Sequence, residues 1–423
     1  MLRADESSNS STDKTRKITN VLLVYTHLRT GGIETLIVRM ANWLSRHGLN
    51  VTLFLLEPGE LLELLDKDIR VIVCPVGNRF FAPHIGRKHV HELDTDFDLI
   101  YSYGPEGCYI ASFIYKYNCS ARPPVFLNGV YHPYEFALDG GVSVSDRIRI
   151  NFYNDYLSDS AKLFMSEPVR SGNELIIGRE LPDSKIWPLP VETRPYDRNR
   201  KPLKNKIVSV GRFERFKTYN LHMIDVMEEL LNTGYDVHWD VYGYGTLETE
   251  MKNKIKEKNL CDRISLKGVL PYDELTKTLS TAQVFVGVGT ALIEAGFCGV
   301  PCVVGIDNDE GALSYGGLYE LPYFACGERL SANAKTTSIV NAIRRILEMD
   351  ASRYEAECYK TYQYVQAYSM NSLMKEFLDY AENLPTEQVV GSYPAWRYYT
   401  YILANWYQLL KKRIAIRSRL KLA

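Results

Sequence analysis

The sequence predicts two doubly wound α/β domains, each built on a parallel sheet. Two runs of short apolar strands alternating with amphipathic helices carry this prediction, one starting at Asn20 and the other at Ile207. Between them, Pro182 to Lys206 breaks the pattern with prolines and charged residues, as interdomain connections do. A chain of 423 residues is also too long for one ordinary hydrophobic core. We expect the two domains to face each other across a cleft that holds the ligands.

The first domain opens with a βαβ unit, which predicts a parallel sheet. Asn20 to Tyr25 is a short apolar strand, and apolar residues then recur at helical spacing from Ile33 to Leu44. Gly48 ends this helix, and Val51 to Leu56 forms the next strand. Further predicted strands are 71–74, 99–103, 125–127 and 162–165.

The second domain repeats the alternation more regularly. Its predicted strands are 207–210, 237–242, 264–267, 284–286 and 301–304. Its predicted helices are 218–233, 246–259, 272–280, 290–298 and 335–349. The whole chain then divides into a tail 1–17, a first domain 18–190, a linker 191–206, a second domain 207–380 and a C-terminal segment 381–423. The tail is polar and Ser-rich without an apolar segment, so we interpret it as disordered and not as a signal peptide.

Composition narrows the class of protein. Hydrophobic residues make up 46% and charged residues 24%, which is typical of a folded soluble domain. A net charge of −1 argues against a protein that holds nucleic acid mainly through phosphate contacts. The eight cysteines are scattered without a CxxC pair, which favours reduced thiols in a cytoplasmic protein. No run of eighteen apolar residues is present, so no helix is predicted to span a membrane.

Two positive side chains follow the first strand of the second domain. Arg212 and Lys217 lie just beyond Gly211, at the end where α/β sheets bind ligands. An arginine presents a planar fork to phosphate oxygens and a lysine presents a point charge, so the pair suits a diphosphate. The alternative is a solvated loop, which is our interpretation of Arg215.

A second Gly-rich strand end lies about eighty residues further along. Gly289 precedes a predicted helix whose first residues, Thr290 and Ala291, offer free backbone N–H groups to an anion. Glu294 follows within the same helix, where a carboxylate can accept hydrogen bonds from ribose hydroxyls. The helix dipole alone also favours an acidic residue near this end.

These pieces resemble a known family in order and spacing. V-G-R-F-E-R-F-K, V-Y-G-Y-G-T-L, R-I-S-L-K-G-V-L and G-T-A-L-I-E-A-G-F-C-G-V-P-C-V-V look like the C-terminal domain of retaining GT-B glycosyltransferases of family 4. In the first half, G-G-I-E at 31–34, N-G-V-Y-H at 128–132 and F-M-S-E at 164–167 are similar to the N-terminal domain of that family. The resemblance covers about residues 20 to 350, and it implies a GT-B fold of two Rossmann-like domains.

The resemblance also implies roles for individual residues. Arg212 and Lys217 would hold the diphosphate of a nucleotide-sugar, and Glu294 its ribose. His132 would reach the donor sugar, although a strand-end histidine before Pro133 is also explained as a capping residue. The remaining implied donor-site residues are Gly32, Gly211, Gly243, Gly245, Lys267, Gly268, Gly289, Thr290 and Ala291.

One position departs from the family. Its signature has two glutamates separated by seven residues; the second is Glu294, but the first position holds Val286. A valine cannot accept a hydrogen bond, so donor recognition differs, another carboxylate substitutes, or catalysis is reduced. The candidates to compensate are Asp307, Asp309 and Glu310, which equally suit a charged surface loop.

Metal and cofactor are not expected. Asp94-Thr95-Asp96 resembles a metal-binding aspartate pair, but it precedes a strand and reads as a turn. No other cluster has the spacing of metal ligands, so we expect Arg212 and Lys217 to supply the positive charge.

The C-terminal segment combines aromatic and basic residues. From Trp396 to Leu410 aromatic and apolar residues recur at helical spacing, and this stripe also contains Tyr399, Leu403 and Trp406. Six basic residues follow, namely Lys411, Lys412, Arg413, Arg417, Arg419 and Lys421. The pattern fits an interfacial membrane helix, and it equally fits a helix that crosses back to pack on the first domain.

The sequence therefore predicts a glycosyltransferase. It would move a sugar from a nucleotide-sugar, which we expect to be a UDP-sugar, to a hydroxyl of a lipid-linked or growing saccharide, with retention, in cell-surface polysaccharide synthesis. The expected location is cytoplasmic, with a peripheral position on the membrane through 396–423 and no nucleic-acid partner. The alternatives are a non-catalytic nucleotide-sugar-binding scaffold subunit and another GT-B enzyme such as a UDP-sugar 2-epimerase.

Overall fold

A computed structural model describes residues 16–74, 84, 96–117, 123–137, 143–322, 324–330, 333–385 and 394–420. Most of the predicted tail 1–17 and the Asp94-Thr95 pair lie outside these residues. The described part contains two separate seven-stranded sheets, one in each half of the chain.

The first domain is a doubly wound parallel sheet. Its strands are β1 (Asn20–Tyr25), β2 (Asn50–Leu55), β3 (Arg70–Val73), β4 (Leu99–Tyr103), β5 (Val125–Val130), β6 (Lys162–Phe164) and β7 (Lys185–Ile186). Their order is β3-β2-β1-β4-β5-β6-β7, and every pairing is parallel. Its helices are α1 (Gly32–Arg46), α2 (Gly104–Tyr117), α3 (Val144–Asp155) and α4 (Glu167–Ile177). The strand order reverses between β1 and β4, which opens a crevice at their carboxyl ends.

The second domain repeats this strand order. Its strands are β8 (Lys206–Val210), β9 (His238–Tyr242), β10 (Ile264–Gly268), β11 (Val284–Gly287), β12 (Cys302–Gly305), β13 (Leu313–Gly317) and β14 (Thr337–Ser338). Their order is β10-β9-β8-β11-β12-β13-β14, with β13 antiparallel to both neighbours. Its helices are α5 (Tyr219–Asn232), α6 (Glu248–Glu257), α7 (Tyr272–Ser280), α8 (Thr290–Phe297), α9 (Ile339–Leu347) and α10 (Ala351–Val365). The predicted strands and helices of this domain agree with these bounds to within a few residues, because each pattern is local.

The chain crosses between the domains twice, and the two crossings lie side by side. The outward segment and the returning segment are joined by backbone hydrogen bonds at Val191, whose N–H donates to Tyr368 and whose carbonyl accepts from Met370, both at 2.9 Å. Helix α11 (Met370–Asn383) then packs in the core of the first domain. The predicted second domain extended to 380, but α11 buries its apolar face against the first sheet, so the second domain ends near 365.

The final helix, α12 (Ala395–Leu420), also lies on the first domain. Tyr398 and Tyr401 are buried in the core cluster that α2 and α3 share. The predicted stripe faces the other way, with Trp396 62% and Trp406 59% exposed. The two interpretations of this helix are therefore not exclusive, because one face packs and the other remains in solvent. No helix among the described residues is both long and apolar enough to cross a membrane.

Candidate functional site

The loop after β8 carries two cations toward the cleft. Gly211 has φ 159°, and a Cβ atom there would lie 3.4 Å from the Lys217 Nζ atom, so the glycine leaves room for the ammonium group. Arg212 is exposed and Lys217 is half-buried. Among the described residues, none forms an ion pair or a hydrogen bond with either side chain. Burial lowers the pKa of Lys217, the Asp307 carboxyl opposes this, and the positive charge of Arg212 adds to it. An unpaired cation held beside a second one is a strong site for a diphosphate.

Gly243 and Gly245 hold this loop in place. The N–H groups of Gly211 and Phe213 donate to the carbonyls of Tyr242 and Tyr244 at 2.9 and 2.8 Å, so the loops after β8 and β9 form one layer. A Cβ atom at Gly243 would collide with the Gly211 carbonyl oxygen, and one at Gly245 would collide with the Phe213 backbone. The contacts therefore give both glycines a packing role next to the two cations.

Lys267 and Gly268 end β10 on the far side of these loops. Gly268 has φ 73° and accepts a 2.7 Å hydrogen bond from the Gly243 N–H. The exposed Lys267 ammonium lies 3.8 Å from Asp240. The structure thus places both near the loop layer, and their predicted contact with the base remains a prediction.

The second Gly-rich turn leads into α8. Gly289 has φ 75°, and its N–H donates to the Cys326 carbonyl at 2.6 Å. Thr290 and Ala291 are the first two residues of α8, where a helix leaves N–H groups without intrahelical acceptors. Because β8 and β11 are neighbouring parallel strands, the N-terminus of α8 and the loop that carries Lys217 lie at the same edge of the sheet.

Glu294, the predicted ribose ligand, is engaged by the first domain. Arg39 of α1 donates to its Oε1 atom, and this ion pair is buried, with Arg39 7% and Glu294 1% exposed. Arg39 also donates to the Tyr272 hydroxyl at 3.1 Å. The second carboxylate oxygen, Oε2, is buried without a hydrogen-bond partner and lies 3.9 Å from Arg194. In this arrangement Glu294 has one oxygen left for a ligand.

His132 lies in the loop after β5 and faces the second domain. Its ring is 6.5 Å from the Phe216 ring, and its Nδ1 atom accepts the Tyr134 N–H at 3.1 Å. Burial lowers its pKa. Because Nδ1 accepts a backbone N–H, the neutral ring carries its hydrogen on Nε2. Beneath it, the Glu135 Oε2 atom accepts the N–H groups of Tyr131 and His132 at 2.6 and 3.1 Å.

Gly32 begins α1 below the same cleft. A Cβ atom at this position would have no neighbour within 4 Å, so the helix end is open. The nearby Glu34 carboxylate lies 3.7 Å from His27 and accepts from the Tyr25 hydroxyl at 3.4 Å. The Tyr244 hydroxyl of the second domain donates to the Thr30 carbonyl at 3.3 Å, which holds the two Gly-rich regions on facing sides of the cleft.

Three residues of this region were missed by sequence reasoning: Arg39, Glu135 and Glu328. Arg39 lies within an apolar helical stripe. A buried arginine in such a stripe indicates that a hydrogen-bonding or ionic partner exists, but the sequence does not identify that partner. Glu135 and Glu328 lie in loops and carry no periodic signal. Among the described residues, no group of three or more His, Cys, Asp or Glu side chains has the arrangement of a metal site.

Two Rossmann-like domains whose Gly-rich strand ends lie at the cleft between them define the GT-B class of fold. Residues 193–361 match the family model for glycosyl transferases group 1, which covers most of the second domain. A 2-deoxystreptamine glucosyltransferase of Streptomyces kanamyceticus is 25% identical over 145 residues, which is 33% of this chain and 35% of that protein. The aligned region thus spans about a third of that relative.

Solved structures share the whole fold. Anabaena Alr3699/HepE in complex with UDP and glucose superposes with a TM-score of 0.63 at 12% identity, covering 86% of this chain and 100% of that one. WaaG, a glycosyltransferase involved in lipopolysaccharide biosynthesis, superposes with a TM-score of 0.57 at 12% identity, covering 85% and 98%. These matches show that the chain has the GT-B fold.

Proposed function

We propose that this protein transfers a sugar from a UDP-sugar to a hydroxyl of a lipid-linked or growing saccharide, with retention of configuration. The observation that carries the proposal is that Arg212 and Lys217, beside the N-terminus of α8, form no ion pair or hydrogen bond with the described residues. Positive groups that lack a protein partner are available to a diphosphate, and they stabilise the charge that grows on it as the sugar departs. The UDP and glucose bound by Anabaena Alr3699/HepE support this choice of donor.

The proposed reaction needs no covalent enzyme intermediate. The acceptor hydroxyl attacks from the side of the departing diphosphate and gives its proton to a phosphate oxygen of that group. Arg212 and Lys217 hold the leaving diphosphate, and the first-turn N–H groups of Thr290 and Ala291 face its distal phosphate. His132, with its hydrogen on Nε2, donates to a hydroxyl of the donor sugar from the first domain. These groups supply the positive charge, so the scheme uses neither a metal ion nor a cofactor.

Calorimetric titration of UDP tests the donor site directly. Arg212→Ala and Lys217→Ala are each expected to weaken UDP binding by about tenfold or more, because each removes a charge-assisted contact. Arg215→Ala is the matched control, since Arg215 is an exposed cation in the same loop. If all three variants lost UDP affinity equally, the loss would reflect only the reduced positive charge of the loop, and this would contradict the roles of Arg212 and Lys217.

A non-catalytic scaffold and an epimerase are the two alternatives to a transferase, and Val286, which stands where the family has a glutamate, is the reason to test them. A scaffold subunit would bind nucleotide-sugars without turnover, even with acceptor lipid present. An epimerase would convert one UDP-sugar into another without an acceptor. Incubation with a panel of UDP-sugars, with and without lipid-linked acceptor, distinguishes these outcomes from transfer by the products formed.

We also propose that α12 brings the protein to a membrane surface that carries the acceptor. The exposed face of this helix presents Trp396, Leu403, Trp406 and Tyr407, while its opposite face is anchored on the first domain. Trp and Tyr favour the interface between lipid and water, and the basic sequence from Lys411 onward suits anionic headgroups. The role of WaaG in lipopolysaccharide biosynthesis supports a lipid-linked acceptor.

A further inference from the structure

The family pattern places a carboxylate at the position of Val286, and that position lies inside the second domain. Val286 is fully buried in β11, where it pairs with Val303 of β12 and packs in the hydrophobic core. A valine side chain cannot accept a hydrogen bond from a sugar hydroxyl. If the proposed transfer takes place, a group elsewhere in the cleft must therefore recognise the donor sugar.

Of the three acidic residues that follow β12, only Asp307 has a buried oxygen left unpaired. Its Oδ1 atom is inaccessible to solvent and has no hydrogen-bond partner in the part of the chain that the structure describes. The Oδ2 atom of Asp309 already accepts the N–H groups of Gly311 and Leu313 at 3.0 and 2.7 Å, so its carboxylate shapes the loop. Glu310 is exposed to solvent. A buried acceptor without a partner is costly, and a ligand hydroxyl would satisfy it.

Asp307 lies against the loops that bear the phosphate-binding groups. The N–H group of its neighbour Asn308 donates to the Phe216 carbonyl at 2.6 Å, which places Asp307 directly beneath the Lys217 loop. Burial raises the pKa of the Asp307 carboxyl, the Lys217 ammonium opposes this rise, and the Glu328 carboxyl adds to it. The carboxyl thus shares one electrostatic environment with the proposed diphosphate ligand.

A short segment, Cys326 to Glu328, connects Asp307 to the turn at Gly289 and to the first domain. The Cys326 carbonyl accepts the Gly289 N–H at 2.6 Å, and the Gly327 carbonyl accepts the Asp307 N–H at 2.9 Å. Glu328 is buried, and its Oε1 atom accepts the hydroxyl of Ser166, in the first domain, at 3.2 Å. The segment therefore lies between the two strand ends and the floor of the cleft.

We propose that Asp307 accepts hydrogen bonds from hydroxyl groups of the donor sugar, in a subsite that the segment Cys326–Glu328 positions between the phosphate loops and the first domain. This inference rests on the proposed function, because the sugar is the one attached to the diphosphate held by Arg212 and Lys217. Glu328 is a positioning residue, since both of its oxygens are engaged by Ser166 and by the Cys326 N–H. Asp307 thereby takes over the recognition that the family signature assigns to position 286.

Binding of UDP and of UDP-sugars by two variants tests the subsite. Asp307→Asn removes the carboxylate with little change in volume, and Asp307→Glu keeps the negative charge beside Lys217 but moves the oxygens. Both variants are expected to bind UDP within about twofold of the wild type, because the diphosphate contacts remain. Discrimination between UDP-glucose, UDP-galactose and UDP-N-acetylglucosamine is expected to fall by about 10- to 100-fold, the size of a lost charge-assisted hydrogen bond. Glu310→Gln, which removes an exposed charge from the same loop, is expected to leave both measurements unchanged.

The outcomes separate the subsite from the donor site. Unchanged sugar discrimination in both variants would overturn the role of Asp307 while leaving the proposed function intact. Parallel losses of UDP and UDP-sugar affinity would show that Asp307 only positions Lys217, and they would overturn the subsite as well. Failure of the wild-type protein to bind UDP would instead remove the proposed function, and the subsite with it. Glu328→Gln supplies a further check, since an uncharged positioning residue is expected to reduce discrimination less than either change at Asp307.

Discussion

Arg39 and Glu294 form a buried ion pair that joins the two domains. Arg39 lies in α1 of the first domain, and Glu294 lies in α8 of the second domain, the helix that follows the turn at Gly289. The pair uses one oxygen of the carboxylate that the family resemblance assigns to ribose, so the domain contact and the proposed ribose contact involve the same residue. The other oxygen, Oε2, lies 3.9 Å from Arg194 and accepts no hydrogen bond from the described residues.

Breaking this pair is expected to destabilise the protein. Arg39→Met leaves the Glu294 carboxylate buried without its partner, which typically costs about 3 to 5 kcal/mol. The double variant Arg39→Met/Glu294→Met removes both charges and is expected to recover much of that loss. Urea unfolding of both single variants and the double variant gives the coupling free energy. Additive effects would show that the two residues do not depend on each other.

Lys217→Ala is expected to remove most sugar transfer while the fold survives. Loss of a group that stabilises charge in the transition state typically lowers kcat by about 100- to 1000-fold. The half-buried side chain has no ion pair or hydrogen bond with described residues, so the unfolding free energy should change little. Release of UDP in the presence of acceptor measures turnover, with Arg215→Ala as control. Turnover near that of the wild type would contradict the role of Lys217.

Glu135 is expected to make stability depend on pH. Burial raises its pKa from 4.5 to about 7, and the charge of Arg149 partly opposes this. The folded state therefore binds a proton at Glu135 more tightly than the unfolded state does. This contribution to the free energy of unfolding is present at low pH and is lost as pH rises from 4.5 through about 7. The difference amounts to about 3 kcal/mol at 1.36 kcal/mol per pKa unit.

Comparison with Glu135→Gln isolates this effect from other titrating groups. Between pH 5 and pH 8 the unfolding free energy of the wild type is expected to fall by about 3 kcal/mol more than that of the variant. Urea unfolding at both pH values measures this difference. Identical pH dependence in the two proteins would show that Glu135 titrates normally.

Gly243→Ala is expected to disrupt the loop layer below the proposed diphosphate site. Gly243 has φ 146°, and an added Cβ atom would collide with the Gly211 carbonyl oxygen. Backbone strain and overpacking together suggest a loss of about 2 to 5 kcal/mol. Gly234→Ala is the matched control, because Gly234 has φ 92° but open space around the added atom. Equal melting temperatures for the two variants would mean that backbone conformation alone matters.

The exposed face of α12 is expected to control membrane association. Trp396→Ala/Trp406→Ala should weaken binding to vesicles that contain phosphatidylglycerol by about tenfold or more, because the buried aromatic area drives insertion. UDP binding should not change, since both residues lie away from the donor loops. Leu175→Ala, which removes an apolar side chain 84% exposed on the first domain, is the control in the same sedimentation assay. Equal binding by all proteins would exclude this face as the membrane contact.

The sequence by itself determined the two-domain architecture and the Gly-rich strand ends that carry the proposed donor site. Strand and helix periodicity extends over a few residues, and the turns at Gly211 and Gly289 are local, so these features could be predicted without knowing what lies opposite. Arg212 and Lys217 were recognisable because they follow such a turn directly.

Tertiary structure alone decided which distant side chains meet. The contact of Arg39 with Glu294, the contact of Glu328 with Ser166 and the outward face of Trp396 each depend on how separate elements pack. A sequence pattern reflects the local surroundings of a residue. The two side-chain contacts join residues that are more than a hundred positions apart, and the exposure of Trp396 depends on which face of its helix packs on the first domain. The two Gly-rich loops proposed to bind the diphosphate were therefore predictable from the chain, and the group proposed to recognise the sugar was not.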